Sequence, residues 1–220
     1  MTDSDTSLSE QAHTRLRAMI VRLDLAPGDV LREEILQETL GIGRTPIREA
    51  LQRLAREHFV TVIPRRGMFV AALDVSELSM LFETRTVLEP YAARLAATRG
   101  TAAHWAEMAT ELKSTTKART NETLMGIDRR CHELMWEAAD NRFLLDTLDT
   151  LYAQSDRLWH LYLADVSDMR DAVDEHRAIL DALTAGDGDR VAGLVEAHVR
   201  AFDRDIRAAV TQRLAAPLAG

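Results

Sequence analysis

Asp128, His132, His176 and His198 stand where amphipathic helices should carry only apolar side chains. At about 100° per residue, the stretch GIDRRCHELMW (126–136) is a helix whose apolar arc holds Leu124, Met125, Ile127, Cys131, Met135, Trp136 and Ala139. Asp128 and His132 lie one turn apart in the middle of that arc, away from Arg130 and Glu137 on the polar side. His176 sits among Met169, Val173, Ile179, Leu180 and Leu183 on a second helical stripe, and His198 among Val191, Leu194, Val195 and Phe202 on a third. A single inward histidine is ordinarily a core residue with its hydrogen bonds met. Four groups converging from three helices are different, because a buried carboxylate demands a counter-charge or a metal. Three imidazoles and one carboxylate suit a divalent transition metal: Zn, Ni, Fe(II) or Mn.

Such a set can leave coordination positions for water, so a metal-dependent hydrolase is a rival to a sensor, and a purely structural metal is a third reading. Against hydrolysis, there is no HExxH motif, no inward acid is placed as an obvious general base, and Glu133 and Glu137 face away from Asp128. Arg85 is a further anomaly, lying between Leu78, Leu81, Leu88 and Ala92 with Glu89 one turn on. It reads equally as an ordinary i,i+4 ion pair or as a clamp for a ligand carboxylate. The remaining histidines (13, 58, 104, 160) read as surface or ordinary core, with His160, Asp156 and Arg157 as weaker pocket candidates, and Trp105, Trp136 and Trp159 as packing.

The elements that must position these residues form two halves. The chain has 220 residues, 46% of them hydrophobic, which is enough to build one large or two small cores. No apolar run is long enough for a membrane span, and the acidic start MTDSDTSLSEQ has no secretory-signal pattern. A single cysteine excludes an internal disulfide and suits a reducing, cytoplasmic setting. The net charge of −8 argues against wholesale coating of nucleic acid. Charge is unevenly spread, however: residues 40–70 carry six arginines against two glutamates, a local balance of +4.

Residues 1–73 read as three helices and a hairpin. The helices span about 8–23, 32–40 and from Thr45 onward, with turns at Ala26-Pro27-Gly28-Asp29 and Gly41-Ile42-Gly43, and Pro46 suits a first helical turn. Period-two segments FVTVI and MFVAA flank Pro64-Arg65-Arg66-Gly67. This is the grammar of a winged helix-turn-helix. Arg44 and Arg48 near the start of the third helix can fork onto guanine, and Thr45 can bond a phosphate. Arg65, Arg66 and Gly67 at the hairpin tip can reach a flanking phosphate or minor groove. Residues 74–220 read as six antiparallel helices, near 74–98, 101–119, 121–139, 141–164, 168–185 and 188–214, with Thr101, Asn121, Asn141 and Ser167 as N-caps. The fold class is therefore mainly α: a winged helix-turn-helix followed by an all-α antiparallel bundle.

The run PGDVLREEILQETLGIGRTPIREALQRLAREHFVTVIPRRGMFV, and GRTPIREALQRL above all, resembles the GntR family of bacterial transcription regulators. Gly43 stands where that family usually has serine, Gln37 where it has a small residue, and His58 where it has glycine before the hairpin. The helical half resembles the six-helix FCD-type effector domain of the FadR-like subfamily. The resemblance implies a homodimer that binds a short palindromic operator in double-stranded DNA, most often as a repressor. It maps the metal ligands of that subfamily onto Asp128, His132, His176 and His198, and supports Arg85 as a contact for a small organic acid effector.

Overall fold

The computed structural model describes residues 7–72, 75–114, 120–162 and 170–215. Two compact units divide between Asp74 and Val75. The first holds α1 (Leu8–Val21), α2 (Glu33–Leu40), α3 (Arg44–Arg56), β1 (Val60–Ile63) and β2 (Gly67–Val70). The second holds α4 (Val75–Arg99), α5 (Ala102–Lys113), α6 (Asn121–Ala138), α7 (Arg142–Tyr162), α8 (Arg170–Thr184) and α9 (Gly188–Ala215).

In the first unit α1 packs on α3, burying Leu16 and Ile20 against a core that includes Ile47, Leu51, Leu54 and Phe59. Polar ties reinforce the packing: His13 Nε2 lies 2.8 Å from Glu57 Oε2, and Arg53 bridges Glu10 and Glu57. The left-handed Gly41 (φ 68°) ends α2 and turns the chain into α3, a conformation that glycine adopts without a Cβ clash. Arg15 donates to the carbonyl of Leu40, satisfying one of the open acceptors at that helix end. Gly43 caps α3 without a side-chain hydrogen bond, so the serine usual in the family is not replaced by an equivalent contact.

β1 and β2 pair antiparallel, with Ile63 opposite Gly67 and Val60 opposite Val70. The strands are shorter than the alternating sequence suggests, because Phe59 leaves α3 through a helix-ending motif. His58 takes the left-handed position (φ 64°), its N–H reaches Ala55 O, and Phe59 N–H donates to Leu54 O at 2.9 Å. This is a Schellman cap with the apolar Leu54–Phe59 pair beneath it, and a histidine where glycine is favoured. At the wing tip Arg66 N–H donates to Ile63 O, and Arg65 holds φ 64° in the position where this turn prefers glycine or asparagine.

In the second unit α4 lies along α9, and α6 packs against α4, α5, α7 and α8, which places it at the centre of the bundle. Large apolar side chains, among them Trp136, Trp159, Met108 and Leu124, fill the interior. Asn141 Oδ1 accepts from the N–H groups of Phe143 and Leu144, and Thr101 opens α5 with His104 Nδ1 accepting its N–H. The cap of α6 is Thr120, not Asn121: Thr120 is extended and its hydroxyl accepts from Thr123 N–H, while Asn121 is already helical. The expected cap at Ser167 lies outside the described residues. No helix among the described residues is long and apolar enough to cross a membrane.

The left-handed His58 has a measurable consequence. His58→Gly removes the Cβ penalty at an exposed site and should raise unfolding stability by about 0.5–1 kcal/mol. The midpoint of denaturant unfolding should rise with no change in slope.

Candidate metal centre and DNA-reading surface

Within the bundle, α6 contributes Asp128 and His132, α8 contributes His176, and α9 contributes His198. One ligand-type atom from each lies within 4.8 Å of the other three, and all four residues are buried. Asp128 Oδ1 is 3.5 Å from both His176 Nδ1 and His198 Nε2, and Asp128 Oδ2 is 3.9 Å from His132 Nε2. His132 Nε2 and His198 Nε2 stand 3.2 Å apart. Two imidazole nitrogens bound to one tetrahedral ion at ordinary Zn–N lengths are about 3.3 Å apart, so this spacing is one that a single ion can span.

Each histidine has a polar neighbour at Nδ1. His132 Nδ1 lies 2.9 Å from Glu89 Oε2, His198 Nδ1 lies 2.7 Å from Glu175 Oε2, and His176 Nδ1 lies 2.9 Å from the carbonyl oxygen of Ala172. Such outer partners fix ring orientation in metal sites. Tyr152 on α7 donates to Asp128 Oδ2 at 2.6 Å. Asp128 Oδ1 and His176 Nε2 are buried without a hydrogen-bond partner, and so are His132 Nδ1 and Glu89 Oε2, whose 2.9 Å approach is an ion-pair contact and not an aligned hydrogen bond. One carboxylate and three imidazoles, buried together with some of their atoms lacking a hydrogen-bond partner, are a donor set that a divalent cation takes, so the residues fit a metal.

Protonation agrees with that fit at His176 and Asp128. Burial pushes His176 down to about 3, keeping it neutral. Burial also works to raise Asp128, but the three surrounding histidines and the Tyr152 hydroxyl outweigh it and hold the carboxyl below its ordinary value. A neutral imidazole and an ionised carboxylate are the forms that bind metal. For His198, burial opposes charging, and the hydrogen bond to Glu175 with the nearby carboxylates lifts it instead.

Arg85 and Glu89 supply a correction. Arg85 Nε donates to Glu89 Oε1 at 2.6 Å, and both side chains are almost wholly buried. Glu89 is thus an inward acid close to His132, where the helical pattern alone places none. It is held as an anion: burial raises its pKa, but Arg85 and His132 more than offset this and bring it to about 2. A carboxyl so committed orients a histidine and is a poor general base. Glu133 and Glu137 point elsewhere, into ion pairs with Arg129 and Arg130. Arg85 keeps its terminal nitrogens without a partner among the described residues, over the rings of Tyr152 and Phe82. The ion pair is thus present through the Nε of Arg85, with the rest of its guanidinium packed over Phe82 and Tyr152.

Tyr152 and Glu175 are not legible as site residues from the sequence. A tyrosine on an apolar stripe looks like packing, and Glu175 lies on the half-exposed side of α8. Arg157 is fully buried on α7, and His160 Nε2 lies 3.5 Å from Asp156. Trp136 and Trp159 are core residues, with Trp136 against the rings of His132 and Tyr152.

In the first unit, Arg44 and Arg48 project from the first turns of α3 and are 61% and 58% exposed. Thr45 is exposed beside them, and Arg65, Arg66 and Gly67 form the exposed wing tip. A short helix, a glycine turn, a second helix with exposed arginines at its start, and a basic hairpin are the parts that reach into a major groove and its flank.

Residues 8–70 match the family described as "Bacterial regulatory proteins, gntR family", and residues 80–201 match the FCD domain. The chain belongs to the GntR family. It is 31% identical over 201 residues to the Nta operon transcriptional regulator of Aminobacter aminovorans, covering 88% of this chain and 94% of that one. It is 27% identical over 203 residues to the HTH-type transcriptional repressor RspR of Escherichia coli K12, covering 91% and 89%. Among solved structures, E. coli McbR/YncC shares the fold with a TM-score of 0.82 at 22% identity, over 94% of this chain and 99% of that one. This GntR-family chain is accordingly a DNA-binding transcription regulator with an FCD domain, and the family and these relatives are regulators, not enzymes.

Proposed function

We propose that this protein is a homodimeric repressor whose operator binding is governed by a small organic acid held beside a divalent transition metal in the bundle. The observation that carries the reading is the buried convergence of Asp128, His132, His176 and His198, with Asp128 Oδ1 and His176 Nε2 lacking a hydrogen-bond partner. These four side chains would hold the ion, with Zn, Ni, Fe(II) and Mn as the candidates. A bound ion supplies a Lewis-acidic anchor for a ligand oxygen. Arg85 supplies the second point of recognition through its outer nitrogens, while Glu89 fixes its Nε; a hydroxy- or dicarboxylic acid has oxygens for both. Repression is favoured by the name of the relative RspR.

The dimer is supported by an apolar stripe on α4. Met80, Val87 and Tyr91, spaced i, i+7, i+11 on one face, are 58%, 69% and 51% exposed. A second copy of the chain is the partner that a palindromic operator requires. Arg44, Thr45 and Arg48 then read base edges and phosphates, and Arg65, Arg66 and Gly67 contact the flank. Effector binding shifts the population of dimer arrangements able to span two half-sites.

Three outcomes test these assignments. Arg48→Ala removes a guanidinium fork worth about 1–3 kcal/mol on a base pair, and should abolish gel shifts of DNA from upstream of the protein's own gene; wild-type affinity in the mutant would remove α3 from the role of reader.

Elemental analysis after growth in metal-replete medium should find about one ion per chain, and chelation should lower the melting temperature because the ion binds only the folded state. His176→Ala should lose most of the ion, whereas His104→Ala, at the α5 cap beside Thr101 and Trp105, should keep it. Protein free of metal under those conditions would return the four residues to the core.

Small hydroxy- and dicarboxylic acids should raise the melting temperature of the metal-loaded protein. Removing the charge of Arg85 outright would strand buried Glu89, so Arg85→Lys is the informative change: it keeps a cation opposite Glu89 and loses the planar fork. It should weaken apparent acid affinity roughly tenfold and retain metal and basal DNA binding; an unchanged acid response would leave Arg85 as the partner of Glu89 alone.

A further inference from the structure

Glu33 is the first residue of α2, and its carboxylate meets both arginines of α3 at once. Oε2 accepts from Arg44 Nε at 2.8 Å, and Oε1 accepts from Arg48 Nε at 2.7 Å. The two guanidinium groups are more than half exposed, yet the carboxylate between them is only 17% exposed. Each hydrogen bond uses the inner nitrogen of the guanidinium. The outer nitrogens of Arg48 have no partner among the described residues, and those of Arg44 have only a 3.8 Å approach to Glu34. Arg65 and Arg66 on the wing have no side-chain ion pair at all among the described residues.

We infer that Glu33 is a positioning residue for DNA reading, holding Arg44 and Arg48 in the orientation from which their outer nitrogens fork onto base edges. The inference rests on the reading of those two arginines as base contacts. A free arginine on a helix surface samples many rotamers, and ordering each one on binding costs affinity. A carboxylate that spans both inner nitrogens removes much of that cost before DNA arrives, and it fixes the angle of each fork. Base recognition depends on that angle, whereas phosphate binding tolerates a loose point charge. This explains why the pair at the start of α3 is tethered and the wing pair is not. Glu33 is kept ionised by the hydrogen bond from Arg44, which outweighs burial, with Arg48 adding to the effect. A fixed negative charge beside the DNA-facing surface also weakens indiscriminate attraction to phosphates. Positioning and repulsion act together to raise the ratio of specific to non-specific binding.

The experiment uses the full chain and two duplexes: the one that wild-type protein selects from a randomised library, and a scrambled duplex of the same length and composition. Arg48→Ala in parallel tests the underlying reading, since it should no longer prefer the selected duplex. Glu33→Gln, with its melting temperature measured beside wild type, should lower the ratio of the two affinities roughly tenfold. It should also flatten discrimination in a panel of single base-pair changes, while affinity for the scrambled duplex holds or rises. Glu33→Asp, whose shorter side chain meets only one guanidinium, should fall between them and serves if the glutamine variant is unstable. Glu34→Gln should leave the ratio intact. If Glu33→Gln and Glu33→Asp keep the wild-type ratio, or tighten both duplexes equally, Glu33 is only an electrostatic brake and the inference fails, whatever Arg48→Ala shows.

Discussion

The bundle is organised around the burial of the Asp128 carboxylate. Removing an ion from water costs several kcal/mol, and a helical interior offers little in return because its backbone groups are already paired. The surroundings are therefore built from what a carboxylate needs: the Tyr152 hydroxyl on one oxygen and three imidazoles around the group. A second carboxylate, Glu89, is fully buried behind His132 and is neutralised by Arg85. Glu89 is thus matched by the buried guanidinium of Arg85, whereas the basic groups beside Asp128 are the three histidines. The core around them is conventional: Trp136 lies against the ring of His132, and Leu124 and Met135 of the same helix are buried.

This arrangement couples elements that sequence-local forces would leave independent. Asp128 and His132 belong to α6, His176 to α8, His198 to α9, Tyr152 to α7 and Arg85 with Glu89 to α4. Five of the six bundle helices meet through one set of charges. Close packing already restricts how far a helix can rotate, and hydrogen bonds with their angular demands restrict it further. Arg85 and Glu89 place α4 in this set, and the same helix carries the exposed stripe of Met80, Val87 and Tyr91.

The same physics appears with the opposite sign in the first unit. There most of the arginines in the pairs are exposed while their acids are half-buried, and the pairs are useful because they are geometric. Glu33 joins the start of α2 to the start of α3 through two arginines, and His13, Glu57, Arg53 and Glu10 join α1 to the end of α3. The buried apolar core sets the relative placement of these helices, and the charges set which way side chains point at the surface.

Periodicity, composition and turn chemistry carried most of the element order. Helix-period stripes, the glycine turn at Gly41 and the strand-period runs around Pro64–Gly67 are local properties, and local forces decide them. The inward positions of Asp128, His132, His176 and His198 were legible for the same reason, since a polar residue on an apolar stripe is visible without coordinates. Tertiary structure alone decided what each inward group meets. Glu89 became an orienting partner of His132 because α4 packs against α6, and Tyr152 became a donor to Asp128 because α7 packs on the same helix. Glu175 holds His198 across the gap between α8 and α9, and Glu33 straddles Arg44 and Arg48 across the turn from α2 to α3. A pairing between residues far apart in sequence depends on helix rotation and spacing, which local pattern does not specify. Residue type and period determined which side chains face inward; the packing of whole helices determined their partners.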